Sequence, residues 1–249
     1  MRRVRIIGPG RAGRSLGRAL VDAGWSAPPE FLARGADVSG AALDVDLVVI
    51  ATPDDVIADV AAAVEPVDGT AIVHLSGSRG MGELAGHRRV GCLHPLVALP
   101  DETVGAQRLA DGAWFAIAGD PVVEEIAAAL GGRTFTVADA DRAAYHAAAV
   151  IASNHLVALL GQAERVARGA GVPFEALLDL VRATVANVAA LGPAAALTGP
   201  AARGDDETIR RHLVALAPGE HAAYEAMVAE ARRLAGRDGP VGPGEPDVE

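Results

Sequence analysis

Residues 3–13 read Arg-Val-Arg-Ile-Ile-Gly-Pro-Gly-Arg-Ala-Gly, and this stretch decides the fold. Its first half is a short β-branched run typical of a strand, and an amphipathic helical pattern begins at about Arg11. The glycines fit G-x-G-x-x-G: the first permits a tight turn, the second a close approach to a pyrophosphate, and the third close helix–strand packing. The phosphates would lie over the helix N-terminus, which favours anions. The stretch therefore predicts a βαβ dinucleotide-binding unit, with these residues at the cofactor: Gly8, Pro9, Gly10, Arg11, Ala12 and Gly13.

The end of the second predicted strand indicates which dinucleotide is bound. Sites that prefer NAD carry an acidic residue about 20 positions after the last glycine, where it binds the ribose 2′-hydroxyl. Here the sequence is Ala33-Arg34-Gly35, which has no carboxylate. A guanidinium can pair with a 2′-phosphate through two hydrogen bonds. The sequence therefore predicts NADP as the cofactor, with Arg34 at its 2′-phosphate; the alternative is a solvated surface arginine.

The strand pattern repeats over the first half of the chain. Runs typical of strands occur at 3–7, 30–33, 46–51, 71–75, 90–93, 114–118 and 134–137, separated by helical or loop segments. Residues 46–51 are almost continuously apolar, as expected of a strand buried on both faces of a parallel sheet. Alternating strands and helices predict an α/β domain with a doubly wound, Rossmann-type parallel sheet over residues 1–138.

The second half of the chain has helical patterns only. We expect helices at about 139–168, 174–190, 206–216 and 220–234, which gives an all-helical domain over residues 139–235. An alanine-rich helix of that length exposes an apolar face that one copy would struggle to cover, so we expect a homodimer formed through this domain. Residues 236–249 are rich in glycine, proline and acid, and are predicted to be a disordered tail.

Composition narrows the function classes. The net charge is −10, and no basic stripe with interleaved aromatic residues occurs, so nucleic acid is not an expected partner. We expect no membrane span and, with Cys92 as the single cysteine and no signal-peptide pattern, a cytoplasmic protein. All 22 basic residues are arginine. Catalysis by a lysine is therefore excluded.

Polar residues follow the two strands after the first crossover. Thr52 and Pro53 follow the strand at 46–51, and Ser76 follows the strand at 71–75. Ligands of open α/β sheets bind outside the carboxyl ends of the strands, near the point where strand order reverses. We therefore expect these three residues at the cofactor, Thr52 and Pro53 near the nicotinamide ribose. Thr-Pro-Asp at 52–54 is equally consistent with a helix start.

Two histidines and one asparagine are the candidates for chemistry. His94-Pro95 ends the strand at 90–93, and the proline restrains the direction of the imidazole. His146 and Asn154 lie eight residues apart on the predicted long helix, close to one face. His146 as proton donor and Asn154 as substrate anchor would suit such a crevice, although a structural role for His146 is equally compatible with the sequence. Thr198 and Arg203 lie in a turn before a helix cap and could contact an anion, and no metal-ligand spacing occurs.

Six motifs together resemble one bacterial group of Rossmann-like proteins with a C-terminal domain of unknown function. They are the glycine turn at 8–13, Ala-Thr-Pro-Asp-Asp at 51–55, His-Leu-Ser-Gly at 74–77, Leu-His-Pro-Leu at 93–96, the helix motif at 145–154 and the turn at 196–205. The N-terminal part is similar to deazaflavin-dependent NADP oxidoreductases, and the overall plan resembles ketopantoate reductase, pyrroline-5-carboxylate reductase and the 6-phosphogluconate dehydrogenase group. The resemblance implies an NADP-binding, dimer-forming reductase.

The chain departs from those reductases at one position. Ketopantoate reductase and the hydroxyacid dehydrogenases use a lysine on the first long helix of the second domain. Here His146 stands about where that lysine would be, and Asn154 matches a later asparagine. The leading hypothesis is an oxidoreductase that moves hydride between NADP(H) and a small carbonyl or imine compound, with His146 as general acid/base and His94 as a second polar contact. The alternative is a non-catalytic NADP(H)-binding protein with a dimerising or regulatory helical domain.

Overall fold

The computed structural model describes residues 1–237, and the part of the predicted tail beyond Arg237 lies outside it. Seven strands form one sheet: β1 (Val4–Ile7), β2 (Glu30–Leu32), β3 (Leu47–Ile50), β4 (Ala71–His74), β5 (Val90–Pro95), β6 (Trp114–Gly119) and β7 (Arg133–Thr136). Their order is β2-β1-β3-β4-β5-β6-β7, and only the β5–β6 pair is antiparallel. Strand order reverses between β1 and β3, which is where such sheets bind ligands.

Helices cover both faces of the sheet. They are α1 (Arg11–Asp22), α2 (Ile57–Ala63), α3 (Glu102–Ala110) and α4 (Val122–Ala129). One core joins α1, α3 and α4 to the sheet through residues such as Leu16, Leu109 and Ile126, and a second joins α2 through Ile57. All four residues of β3 and of β4 are buried, as expected of central parallel strands. The predicted doubly wound, Rossmann-type sheet is confirmed.

A helical region follows, as predicted. Its α-helices are α5 (Arg142–Val150), α6 (Leu156–Gly169), α7 (Phe174–Leu191), α8 (Pro193–Ala196), α9 (Pro200–Arg203), α10 (Asp206–Ala215) and α11 (His221–Leu234). The chain divides into a sheet-bearing unit, Met1–Asn154, and a helical unit from His155 onward. The sheet-bearing unit thus extends beyond the predicted boundary at Ala138, because Tyr145 and His146 of α5 contact residues at the sheet edge.

The predicted uninterrupted helix at 139–168 is divided by a change in winding. A 3₁₀ turn (Asp139–Asp141) precedes α5, and a π-helical turn (Ile151–His155) separates α5 from α6. A π turn contains more residues than an α-helical turn, so it rotates every later residue around the helix axis. The predicted common face of His146 and Asn154 assumed α-helical winding throughout. In length and composition, the described helical stretch Asp139–Gly169 would be able to cross a bilayer.

Candidate functional site

The turn between β1 and α1 requires glycine at two positions. Gly8 has φ +100°, and a Cβ placed there would lie 2.7 Å from the carbonyl oxygen of Ala51. A Cβ on Gly13 would lie 2.4 Å from the carbonyl oxygen of Gly8. Neither contact is possible, so the turn holds this shape only with both glycines. Gly10 differs, because a Cβ there would meet nothing within 4 Å.

The N-terminus of α1 has the features of an anion site. Gly10 is its N-cap and supplies no side-chain hydrogen bond, and the first turn contains no acidic residue. The first N–H groups of the helix are therefore not capped by a side chain, and they favour an anion electrostatically. The space beside Gly10 leaves room for a phosphate, and the exposed Arg11 begins the helix. These residues fit the pyrophosphate of a dinucleotide.

A backbone hydrogen bond links the glycine turn to the strand that precedes Arg34. The N–H of Gly8 donates to the carbonyl of Leu32 at 2.9 Å, which joins the glycine turn to the end of β2. Arg34 follows two residues later, is exposed, and forms no hydrogen bond or ion pair with any residue among 1–237. Its guanidinium is thus available to a ligand at the turn, as a 2′-phosphate contact requires.

The carboxyl ends of β3 and β4 bring further polar groups to the same edge. The Thr52 hydroxyl is buried and has no hydrogen-bond partner within the described residues, whereas Pro53 is exposed. The Ser76 hydroxyl accepts from the N–H groups of Ser78 and Arg79 at 3.1 and 3.0 Å, so it shapes the loop after β4. The Ser78 hydroxyl donates to Asp54 at 2.6 Å and ties this loop to the end of β3. Thr52 thus has unused hydrogen-bonding capacity, and Ser76 supports the loop.

His94 and His146 meet over Gly77. Their ring centroids are 5.9 Å apart, edge to face. A Cβ on Gly77 would lie 2.7 Å from Nδ1 of His146 and 2.9 Å from Nε2 of His94, so only glycine leaves room for both rings. Tyr145, one residue before His146 on α5, places its hydroxyl 2.6 Å from Nδ1 of His94. The three side chains form one cluster at the carboxyl edge of β4 and β5.

The charge states within this cluster follow from its burial. Burial and the nearby His146 and Arg142 lower the pKa of His94 from 6.5 to about 4, so its imidazole is neutral at pH 7. Burial raises the pKa of Tyr145 to about 12, which keeps the phenol protonated. The Tyr145 hydroxyl and Nδ1 of His94 share one hydrogen bond, and Nε2 of His94 lies beside Gly77. Nδ1 of His146 is buried and has no partner within residues 1–237.

His74 and Cys92 form a second buried pair beside this cluster. They occupy paired positions on β4 and β5, and Sγ of Cys92 lies 2.9 Å from Nε2 of His74. Nε2 of His74 also donates to the carbonyl of Gly80 at 3.1 Å, since Nδ1 accepts from the N–H of Ser76. Burial raises the pKa of the Cys92 thiol to about 12 and lowers the pKa of His74. A protonated, buried thiol is a poor nucleophile, so this pair supports the loop.

The remaining candidates have exposed side chains. Asn154 is exposed; its side-chain oxygen accepts from the Ser153 hydroxyl at 2.8 Å, and no contact joins it to either histidine in the described part of the chain. Thr198 and Arg203 are exposed; Thr198 lies in the turn before α9, Arg203 is the last residue of α9, and Asp205 caps α10 by accepting from the N–H of Thr208. No group of three metal-binding side chains occurs within residues 1–237.

Sequence analysis assigned no role at the site to Gly77, Tyr145 or Arg142, although Tyr145 belongs to the cluster, Gly77 lies against it and the charge of Arg142 acts on His94. Tyr145 is adjacent to His146 in sequence, but its partner His94 is on another element, and no pattern within α5 indicates that contact. Gly77 belongs to a Ser-Gly-Ser turn, and from the sequence alone a glycine in such a turn is indistinguishable from an ordinary loop glycine. Arg142 precedes His146 by four residues on α5 and is completely buried, whereas an arginine near a helix start is normally exposed.

Residues 114–231 match the family model described as a domain of unknown function, DUF2520. A comparison with curated protein sequences gave no match.

Solved structures share the fold over most of their length. A Bacteroides fragilis protein described as a proposed NADP oxidoreductase is 22% identical, with a TM-score of 0.78 over 93% of this chain and 98% of the other. Protein TM1727 from Thermotoga maritima is 24% identical, with a TM-score of 0.69 over 94% and 98%. A reductive aminase from Aspergillus terreus, solved with NADPH and ethyl levulinate, is 15% identical, with a TM-score of 0.70 over 95% and 98%. The chain therefore has the Rossmann-type fold of these proteins, and its C-terminal part matches a domain of unknown function, as the motif resemblance implied.

Proposed function

We propose that this protein is an NADP-dependent oxidoreductase that transfers hydride between the nicotinamide and a small carbonyl or imine compound. The convergence of His94, Tyr145 and His146 over Gly77 carries the proposal. Adjacent strands lie about 4.8 Å apart, so the ends of β4 and β5 are about 10 and 14 Å along the sheet edge from the end of β1. A dinucleotide with its pyrophosphate at Gly10 can extend along that edge towards the cluster.

The cofactor would be held by the glycine turn and Arg34. The uncapped N-terminus of α1 binds the pyrophosphate, Arg11 and Arg34 supply positive charge, and Thr52 offers a free hydroxyl towards the ribose. NADP(H), when bound, supplies or accepts the hydride. The Aspergillus terreus and Bacteroides fragilis proteins support this choice, since their descriptions name NADPH or NADP and they share the fold.

The proton step would use His146. Its unpartnered Nδ1 is available to the oxygen or nitrogen of a substrate seated over Gly77. His94 stays neutral and offers Nε2 as a second polar contact, while Tyr145 fixes the orientation of that ring through Nδ1. Asn154 is proposed as the substrate anchor through its amide nitrogen. Burial of the cluster limits access of water to the reacting atoms.

Cofactor choice is tested by fluorescence titration with NADPH and NADH. We expect the wild-type protein to bind NADPH much more tightly than NADH. A hydrogen bond to a charged group contributes about 1.5–3 kcal/mol, so Arg34→Ala should weaken NADPH binding about 10- to 150-fold and leave NADH binding unchanged. Arg88→Ala is the matched control, since Arg88 is an exposed arginine paired with Asp68. Equal affinities of the wild type for both cofactors would overturn the assignment.

Catalysis is tested by screening small oxo acids, ketones and imines for NADPH oxidation. With a substrate in hand, His146→Ala should lower kcat about 100- to 10,000-fold, the range of a positioned general acid. His155→Ala is the control, because His155 is exposed and nine residues further along. Unchanged turnover in His146→Ala would exclude the proton role. Tight NADPH binding without turnover across the screen would favour the non-catalytic binding protein.

We also propose a homodimer formed through the helical unit, in the cytoplasm. Neither α6 nor α7 buries a single residue, and Val157, Leu180 and Leu191 are each more than 60% exposed. Such faces are normally covered by protein or lipid. The exposed apolar side chains continue on α7, which also carries the exposed charged residues Asp179 and Arg182. Because charged side chains are costly in a bilayer, these faces favour a second copy of the chain over lipid. Light scattering should give twice the 25.2 kDa chain mass, and a monomer or partition into lipid vesicles would contradict the proposal.

A further inference from the structure

Arg142 is a buried cation whose hydrogen-bonding capacity is mostly unused. The residue is 0% exposed. Its Nε donates to Oδ1 of Asp139 at 3.3 Å, and Oδ2 of the same carboxylate accepts from the N–H of Met81 at 3.1 Å. Asp139 is therefore engaged through both oxygens, and it meets the guanidinium at one nitrogen only. Within residues 1–237, the terminal nitrogens Nη1 and Nη2 have no hydrogen-bond partner.

Asp139 is the one carboxylate that pairs with Arg142 within residues 1–237, and it meets the guanidinium at Nε alone. Arginine stays protonated in proteins, so the cost of burial cannot be relieved by loss of the proton. Four other ionisable neighbours supply no negative charge, because the pKa values of His74 and His94 are lowered and those of Cys92 and Tyr145 are raised, chiefly by burial. The Arg142 charge itself further disfavours protonation of both histidines. Two buried guanidinium nitrogens without a hydrogen-bond partner are costly unless a further acceptor meets them.

The two terminal nitrogens of the Arg142 guanidinium can bind one carboxylate through two hydrogen bonds. With Nε on Asp139, Nη1 and Nη2 present two parallel N–H groups, which match the two oxygens of one carboxylate. Arg142, Tyr145 and His146 are spaced i, i+3, i+4 on α5 and share one helix face. Arg142 and His146 are thus about one helical turn apart along α5. If a substrate carboxylate binds Arg142, the substrate atoms attached to that carboxylate would therefore lie beside the His94–His146 cluster.

We propose that Arg142 binds a carboxylate of the substrate, so that the protein acts on a small oxo or imino acid. This inference rests on the proposed oxidoreductase function, since it identifies the substrate class of the same site. Both terminal nitrogens are covered by protein, so the carboxylate reaches them by displacing the atoms above them. Ligand binding is therefore linked to a local opening of the site. The neutral oxygen or nitrogen of the substrate then faces His146.

The test uses a small unreactive carboxylate. Oxamate carries a carboxylate next to an amide carbonyl, and oxamide is its neutral counterpart. Binding of each is measured by isothermal titration calorimetry to the full chain, with and without NADP⁺. We expect oxamate to bind the wild type and oxamide not to bind. Arg142→Gln should weaken oxamate binding at least about 30-fold, the lower end for truncating a buried, hydrogen-bonded charge pair. Arg88→Gln should bind oxamate like the wild type.

Each outcome decides the proposal. Equal oxamate affinity in wild type and Arg142→Gln overturns it, and so does failure of the wild type to bind oxamate in either state. If Arg142→Gln does not fold, as judged by circular dichroism, Arg142→Lys decides. That variant keeps the charge and loses the fork, so oxamate affinity equal to wild type overturns the proposal. An NADPH titration distinguishes failure of the anion site from failure of the proposed oxidoreductase function. Oxamate binding without NADPH binding would refute the proposed function and leave the anion site standing.

Discussion

The neutral state of His94 makes the stability of the protein depend on pH. Its pKa is about 4 in the folded protein and 6.5 as a reference for the unfolded chain. As pH falls below about 6.5, the unfolded chain takes up the proton first, so this contribution is present above pH 6.5 and is lost towards pH 4. The full shift corresponds to about 3 kcal/mol, since one pKa unit is worth about 1.4 kcal/mol. About 1 kcal/mol of it has been lost at pH 5.5.

The assay is urea unfolding at pH 7.5 and pH 5.5, followed by circular dichroism. The free energy of unfolding of the wild type should fall between the two pH values by about 1 kcal/mol more than that of His94→Gln. Glutamine does not titrate, and its amide can accept the Tyr145 hydrogen bond, so the comparison isolates the imidazole. His155→Gln should behave like the wild type, because His155 is exposed. Equal pH dependence in wild type and His94→Gln would refute the reasoning.

Three further predictions concern single positions. Gly77→Ala should destabilise the protein by about 1–3 kcal/mol and lower turnover about 100-fold, because its Cβ displaces both histidines. Gly82→Ala should have neither effect, because a Cβ on Gly82 meets nothing within 4 Å. Urea unfolding measures the stability and NADPH oxidation measures the turnover, and a Gly77→Ala variant with wild-type values of both would contradict the packing argument. Gly13→Ala should destabilise the cofactor-free protein, because its Cβ meets the carbonyl of Gly8. Gly10→Ala should weaken NADPH binding without a loss of stability. Thermal unfolding measures the first effect and NADPH titration measures the second. Cys92 should react with iodoacetamide at pH 8 only after unfolding, because burial raises its pKa to about 12, and rapid labelling of the native protein would show that the thiol is accessible.

The strands and most helices were predictable because they depend on local pattern. Seven runs were predicted as strands and all seven form the sheet, since β-branched residues between turns favour strands whatever their partners are. The boundaries of α7 and α11 were predicted within about one residue. The π-helical turn at Ile151–His155 was not predicted, because its residues suit an α-helix equally well.

The candidate site was predictable in part. The glycine turn is a local feature, and the structure gives the stereochemical reason for Gly8 and Gly13. His94 and His146 were identified separately, from a strand end and a helix face. Their meeting depends on where α5 packs, and the same packing decides that Tyr145 contacts His94. Asn154 was expected on the same helix face as His146, but it lies within the π turn, and no contact joins the two side chains within the described residues.

The sequence by itself determined the dinucleotide turn, the alternation that builds a doubly wound sheet, and the absence of lysine chemistry, because each is a property of residue type and short-range spacing. Only the tertiary structure decided which side chains share the site and in what charge state. Burial is a property of the packed chain, and it is burial that holds His94 neutral, keeps Tyr145 protonated and leaves the Arg142 charge without a full set of partners. The chemistry of the crevice therefore depends on contacts between elements that are far apart in sequence.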